Sequence, residues 1–152
     1  MKKNLFLSCA IRRAIVTFVR MKPDITSRTE IKQLVDQFYQ KVRKDDLIGP
    51  IFNERIKPEA WPPHLEKMYS FWSMVLLGEM GYRGHPFAKH APLPIDHQHF
   101  SRWLELFEET VNEHFEGKIA DLAVLRSKSI GGVFESKLEH LRSTGHFPLI
   151  DS

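Results

Sequence analysis

Apolar residues recur with helical spacing in the first part of the chain. Ser27-x-x-Glu30 matches the capping box, in which two side chains satisfy backbone N–H groups at the start of a helix. The apolar positions that follow share one helical face: Ile31, Leu34, Val35, Phe38, Tyr39 and Val42. The pattern predicts an amphipathic helix over about residues 28–44. Gly49-Pro50 then breaks it, and a short connecting turn or a single helical turn is expected there.

Three further long helices are predicted by the same spacing. Pro62 and Pro63 suit the first turn of a helix that runs to about residue 77, because a missing backbone N–H costs little there. Asp96 can cap a helix that ends near Gly117, and a last helix begins just after that glycine. Residues 131–132, both glycine, interrupt its apolar pattern, which weakens the middle or lets another group approach closely. No stretch shows the alternation of a strand, so the fold is expected to be all-α.

The charge of the chain is unevenly distributed. Its 22 Lys and Arg exceed its 19 Asp and Glu, but residues 1–22 contain basic residues and no acidic one. We interpret residues 1–22 as a basic N-terminal extension and residues 23–152 as one globular domain. The domain itself is mildly acidic, which gives no reason to expect nucleic-acid binding.

The extension has three interpretations: a signal peptide interrupted by Arg12 and Arg13, an amphipathic helix on a membrane surface, or a segment that precedes a true translation start at Met21. No run approaches the roughly 20 apolar residues of a membrane span, so no stable membrane insertion is expected. The single Cys9 excludes an internal disulfide framework. We expect a cytoplasmic protein.

Familiar sequence signatures of enzymes are absent. The chain has no P-loop, dinucleotide fingerprint, nucleophile elbow or HExxH, and its eight histidines never fall at the i, i+4 spacing of zinc ligands on a helix. Any chemistry therefore has to come from residues that the fold brings together.

The candidate residues lie mostly on apolar helical faces. His64, Met68 and Trp72 follow each other four residues apart and share one stripe, which could equally be a boundary histidine above ordinary core residues. Tyr39 and Trp103 also lie on apolar faces, where a hydrogen bond within the core explains them as well as a ligand contact does. By itself, neither group decides between core and binding site.

His90 sits on a short segment between two predicted loops. Glycines precede the segment, and Pro92 and Pro94 end any helix that contains this histidine. On its own, such a loop histidine would indicate no function.

Together, these positions resemble the group III truncated haemoglobins. His64, Tyr82, Gly84 and Pro86 belong to the resemblance, which runs over about residues 26–142 in matching order and spacing. Its main segments are FY (38–39), KVRKD (41–45), GPIFN (49–53), FW (71–72), LLGE (76–79), KHAPLP (89–94) and HFxxWLxLF (99–107). Each segment is a weak signal, but their joint occurrence is highly specific.

The resemblance implies a truncated globin fold, a two-over-two helical sandwich around one haem b. His90 is then the proximal iron ligand, and Phe52 packs flat against the haem. Tyr39, His64 and Trp103 form the distal pocket that faces the ligand. The other implied haem contacts are Met68 beneath the distal residues, together with Trp72, Phe87, Leu93, Phe100, Ile130 and Phe134.

A five-coordinate iron that binds dioxygen and other diatomic ligands is implied as well. Tyr39 and Trp103 carry donors that would stabilise partial negative charge on bound dioxygen, and the resulting slow release favours chemistry over oxygen transport. The expected chemistry is nitric oxide dioxygenation or peroxide reduction, with His64 gating access or passing a proton and an unidentified reductase restoring ferrous iron. Lys89 or Arg83 is a candidate partner for a haem propionate, although each is equally an ordinary surface side chain.

Two other functions stay open at this point. One is a haem sensor or ligand-storage protein without turnover, and the other is a helical interaction domain that has no cofactor and whose aromatic residues merely pack. Whichever function holds, we expect the protein to be a monomer.

Overall fold

The computed structural model describes residues 21–86 and 93–145, and all of its regular structure within these ranges is helical. The α-helices there are α1 (Arg28–Lys44), α2 (Gly49–Arg55), α3 (Trp61–Leu77), α4 (His97–His114) and α5 (Lys118–Thr144). A single 3₁₀ turn, Pro58–Ala60, precedes α3. The predicted helices and the predicted absence of strands are confirmed within the described ranges.

Helix α1 begins at the predicted capping box. The Ser27 hydroxyl accepts a hydrogen bond from the N–H of Thr29, and the Glu30 carboxylate accepts one from the N–H of Ser27 at 2.8 Å. Its buried positions are the six apolar residues of the predicted face. Sequence pattern and local hydrogen bonding therefore specify the same helix.

The connection after α1 is more regular than predicted. Instead of a turn or a single helical turn, Gly49–Arg55 forms a seven-residue helix, α2. The Asp45 carboxylate accepts hydrogen bonds from the N–H groups of Leu47 and Ile48, each at 3.0 Å. A Cβ at Gly49 would lie 3.0 Å from the Val42 carbonyl oxygen, so glycine lets α2 start directly against the end of α1.

Helix α5 runs without a break through its two central glycines. Of the two effects expected of residues 131–132, a weakened middle or a close approach by another group, the close approach is present. A Cβ at Gly131 would meet the Leu104 side chain of α4 at 3.4 Å. The helix tolerates these glycines because its packing against α4 outweighs their weak helix propensity.

The long helices form two packed pairs. Helix α1 packs against α3, α4 packs against α5, and α1 also crosses α4. Phe38 and Phe107 are fully buried where α1 and α4 meet. This is the two-over-two globin sandwich expected from the resemblance. Within the described residues, no helix is both long and apolar enough to span a membrane.

An aspartate from the chain before α1 caps the start of α5. The Asp24 carboxylate accepts hydrogen bonds from the N–H groups of Ile119 at 3.1 Å and Ala120 at 2.9 Å. Burial alone would raise the pKa of Asp24, but these bonds and the N–H of Ile25 hold that pKa below its ordinary value. Gly117, at the N-cap itself, has φ 142° and no side chain to serve as the cap.

Candidate functional site

A mostly apolar cavity of about 530 Å³ lies between α1, α2, α3, α4 and α5. Every predicted site residue within the described ranges lines this cavity. These residues are Tyr39, Phe52, His64, Met68, Trp72, Leu93, Phe100, Trp103, Ile130 and Phe134. Phe87 and His90, the predicted proximal ligand, lie outside the described residues. Residues far apart in sequence are thus gathered around one space.

Tyr39 stands at the centre of the polar end of the cavity. Its ring centroid lies 5.4 Å from that of His64, in an edge-to-face arrangement, and 5.7 Å from that of Trp61. Trp103 joins this group through Phe38, whose ring lies 5.0 Å from Tyr39 and 5.4 Å from Trp103. Three different helices, α1, α3 and α4, therefore supply the polar side chains.

The protonation of Tyr39 suits a hydrogen-bond donor. Its side chain is only 6% exposed, and burial raises the pKa of the phenol well above its ordinary value. The phenol therefore stays neutral and keeps its proton at neutral pH. Trp103 contributes an indole N–H, which can only donate.

Two tryptophans that line the cavity, Trp72 and Trp103, are oriented by one buried ring. The ring centroid of Phe107 lies 4.6 Å from that of Trp72 and 5.5 Å from that of Trp103, and both pairs are stacked. Phe107 is fully buried, so both indoles are held from behind by the core. The positions of these side chains at the cavity are set by packing within α3 and α4.

Exposed basic side chains line the mouth of the cavity. Arg83, one of the two predicted propionate partners, is among them, together with Arg55 and Lys67, which the sequence analysis missed. The other predicted partner, Lys89, lies outside the described residues. Helical spacing could have indicated the two missed residues, because Arg55 lies three positions after Phe52 and Lys67 three after His64.

The cavity fits a haem in size and chemistry. Its volume lies within the usual range of small-molecule and cofactor sites, and its wall is apolar and aromatic. The cations at its mouth suit the two propionate carboxylates of an otherwise apolar ring. Within the described residues, no cluster of three metal-ligating side chains occurs.

Comparisons with known proteins agree with this arrangement. Residues 24–127 match the family model described as bacterial-like globin. The chain is 38% identical over 121 residues to the group 3 truncated hemoglobin ctb of Campylobacter jejuni, which covers 78% of this chain and 95% of that protein. It is 31% identical over 97 residues to the group 2 truncated hemoglobin YjbI of Bacillus subtilis, covering 60% of this chain and 70% of that protein.

A solved structure shares the fold. The crystal structure of a group III truncated hemoglobin from Campylobacter jejuni superimposes with a TM-score of 0.70 at 39% sequence identity, covering 78% of this chain and 95% of that one. The chain therefore belongs to the bacterial-like globin family and, within it, to the group III truncated haemoglobins.

Proposed function

We propose that this chain holds haem b in the 530 Å³ cavity, with His90 as the proximal ligand, and catalyses nitric oxide dioxygenation or peroxide reduction. Membership of the globin family implies a haem cofactor and diatomic ligands. The observation that carries the finer proposal is the convergence of Tyr39, His64 and Trp103 from three helices on one end of the cavity. A purely apolar pocket would be sufficient for simple storage.

When bound, the haem supplies an iron that binds and activates a diatomic ligand or peroxide. The chain's own residues then determine what becomes of that ligand. Phe52, Met68 and Trp72 contribute apolar surface that excludes water from the pocket. In such a dry site, each hydrogen bond to a negatively charged atom is stronger than it would be in water.

Tyr39 and Trp103 act as donors toward negative charge on the ligand. The neutral phenol of Tyr39 and the indole N–H of Trp103 are both fixed by aromatic neighbours, so little reorganisation is needed when charge develops. Tight retention of dioxygen follows, and it suits a reaction on the ligand better than oxygen transport.

His64 passes protons and gates access. Its ring lies edge-on to Tyr39 and to Trp61, at 5.4 and 5.6 Å, and its Nε2 is shielded from solvent. Imidazole is the side chain whose ordinary pKa is nearest neutrality, so it can both accept and release a proton under cellular conditions. A cytoplasmic reductase would restore the ferrous state after turnover, and the protein would act as a monomer.

The test is to measure nitric oxide consumption by the oxygenated protein, and peroxide reduction by the ferric protein, in the wild type and the double variant Tyr39→Phe/Trp103→Leu. We expect the double variant to load haem and lose most of its activity. Tyr69→Phe is the matched control, because Tyr69 is equally buried but does not line the cavity. Equal activity in wild type and double variant would refute the donor role.

A further inference from the structure

We propose that Tyr82 is a redox-active residue that carries one-electron oxidising equivalents from the cavity to the protein surface. The inference rests on the proposed haem function, but concerns a residue that neither binds nor stabilises the diatomic ligand. It follows from the position of Tyr82, from its ring contacts and from a comparison of the chain's three tyrosines.

Tyr82 stands between the interior cavity and the solvent. Its half-buried side chain lines the 530 Å³ cavity, and it also lines a separate surface cleft of about 270 Å³. The cleft is bounded by polar and charged groups, including Glu66, Ser70 and Arg83. One phenol therefore contacts both the cofactor cavity and the solvent-open surface.

A series of aromatic contacts connects Tyr82 with the core. Its ring centroid lies 5.2 Å from that of Phe71, which lies 5.5 Å from that of Trp72. Trp72 in turn stacks on Phe107 at 4.6 Å. Indole and phenol are the side chains that lose one electron most easily, and Phe71 bridges the two without itself being oxidised. An electron thus has a short path from Tyr82 to the buried wall of the cavity.

The backbone after Tyr82 leaves room for this ring position. A Cβ at Gly84 would lie 2.7 Å from the Tyr82 hydroxyl oxygen, which is closer than real contacts allow. The missing side chain at Gly84 lets the phenol fold over the backbone while its ring packs against Phe71. Because the side chain is not fully buried, the phenolic proton can leave to water.

The other two tyrosines lack this combination. Tyr39 is enclosed in the core, so its proton has no direct route to solvent. Tyr69 donates to the Asp36 carboxylate, but the Lys32 ammonium lies 5.0 Å from its ring centroid and disfavours positive charge on that ring. Among the described rings, Tyr69 has no aromatic partner within contact distance. Tyr82 is therefore the tyrosine suited to carry oxidising equivalents from the cavity to the protein surface.

Hydrogen peroxide is the oxidant in this reaction. One peroxide takes up two electrons and two protons, its O–O bond breaks, and two waters form. Because each chain has one Tyr82, this phenol supplies the two electrons one at a time. Each time, its O–H proton leaves to solvent and a neutral phenoxyl radical forms. A small one-electron donor such as ascorbate then returns an electron and a proton to each radical.

The experiment treats the ferric, haem-loaded full-length protein with equimolar hydrogen peroxide and freezes it for electron paramagnetic resonance. We expect a tyrosyl radical in the wild type that loses most of its intensity in Tyr82→Phe and keeps it in Tyr69→Phe. A parallel sample with a nitroso spin trap is digested and mapped by mass spectrometry, and the adduct should lie on Tyr82. Ascorbate added before the peroxide should remove both signals.

Each outcome is decisive. An undiminished radical in a haem-loaded Tyr82→Phe variant, or a trap adduct on Tyr39 or Tyr69 instead, overturns the inference and leaves the proposed function intact. If Tyr82→Phe does not load haem, the adduct position in the wild type still decides. A wild-type chain without a haem spectrum refutes the proposed function itself.

Discussion

Replacing Tyr39 by Phe removes one hydroxyl from the ligand-facing end of the cavity and little else. The substituted ring can keep its neighbours, which lie at centroid distances of 5.0 Å for Phe38, 5.4 Å for His64 and 6.1 Å for Phe52. The change leaves no large void, because the hydroxyl is a small part of the side chain. The variant therefore isolates the donor from the packing.

The size of the effect follows from the energy of one hydrogen bond to a charged acceptor. Such a bond contributes about 1.5–3 kcal/mol in a buried site. Since about 1.4 kcal/mol corresponds to a factor of ten, the loss predicts that dioxygen dissociates roughly 10- to 100-fold faster. The association rate should change much less, because affinity differences between closely related complexes lie mostly in dissociation.

Stopped-flow displacement of dioxygen by carbon monoxide measures this rate directly. Tyr69→Phe serves as the control, since it deletes a phenol that donates to Asp36 and lies away from the cavity. An unchanged dissociation rate in Tyr39→Phe would refute the donor assignment. A slower rate would mean that the Tyr39 hydroxyl interferes with another donor instead of stabilising the ligand.

Further predictions concern the frame that holds the site. Asp24→Ala removes the cap on Ile119 and Ala120 and should cost about 1 kcal/mol in the free energy of unfolding, measured with urea. The pKa of Asp24 in the folded protein lies below its unfolded value of about 3.9. Asp24 therefore contributes its full stabilisation above about pH 3.9 and loses it as the pH falls through the folded pKa. In Asp24→Ala, the free energy of unfolding should consequently fall less steeply at acidic pH than in the wild type. Gly132→Ala, at an exposed helical position with free space around it, should stabilise by about 0.5–1 kcal/mol in thermal unfolding. Gly117→Ala should instead destabilise, because φ is 142° and a Cβ would lie 2.5 Å from the Asp24 side chain; equal effects of the two alanines would contradict this reasoning.

The helices were predictable because their signals are local. Ser27 and Glu30 lie within one turn of each other, and the apolar face of α1 repeats with the period of the helix itself. The sequence also predicted the break after α1 at Gly49. It did not predict that the Asp45 carboxylate would accept hydrogen bonds in the connection and that the regular helix α2 would follow. These hydrogen bonds form only in the folded conformation of the turn, so their partners could not be recognised from the sequence.

Contacts between residues far apart in the sequence could not be predicted from hydrophobic periodicity, because that pattern reports only on local structure. Nothing in the local sequence links Asp24 to the start of α5, more than 90 residues later. Likewise, the stacking of Trp72 on Phe107 depends on how two helices cross. The candidate site was assembled from family resemblance and not from such geometry. Arg55 and Lys67 at its mouth were missed because their helical spacing from Phe52 and His64 was not used.

The central claim is that His90 holds a haem iron in this cavity, and absorption spectroscopy tests it most directly. The purified or haemin-reconstituted wild type should show a Soret band in its ferric, ferrous and carbonyl-bound forms. In His90→Ala that spectrum should be lost or transformed, and added imidazole should restore it, whereas His140→Ala, an exposed histidine on α5, should match the wild type. A wild type that stays colourless with haemin, or a His90→Ala variant with unaltered spectra in all three forms, would contradict the account.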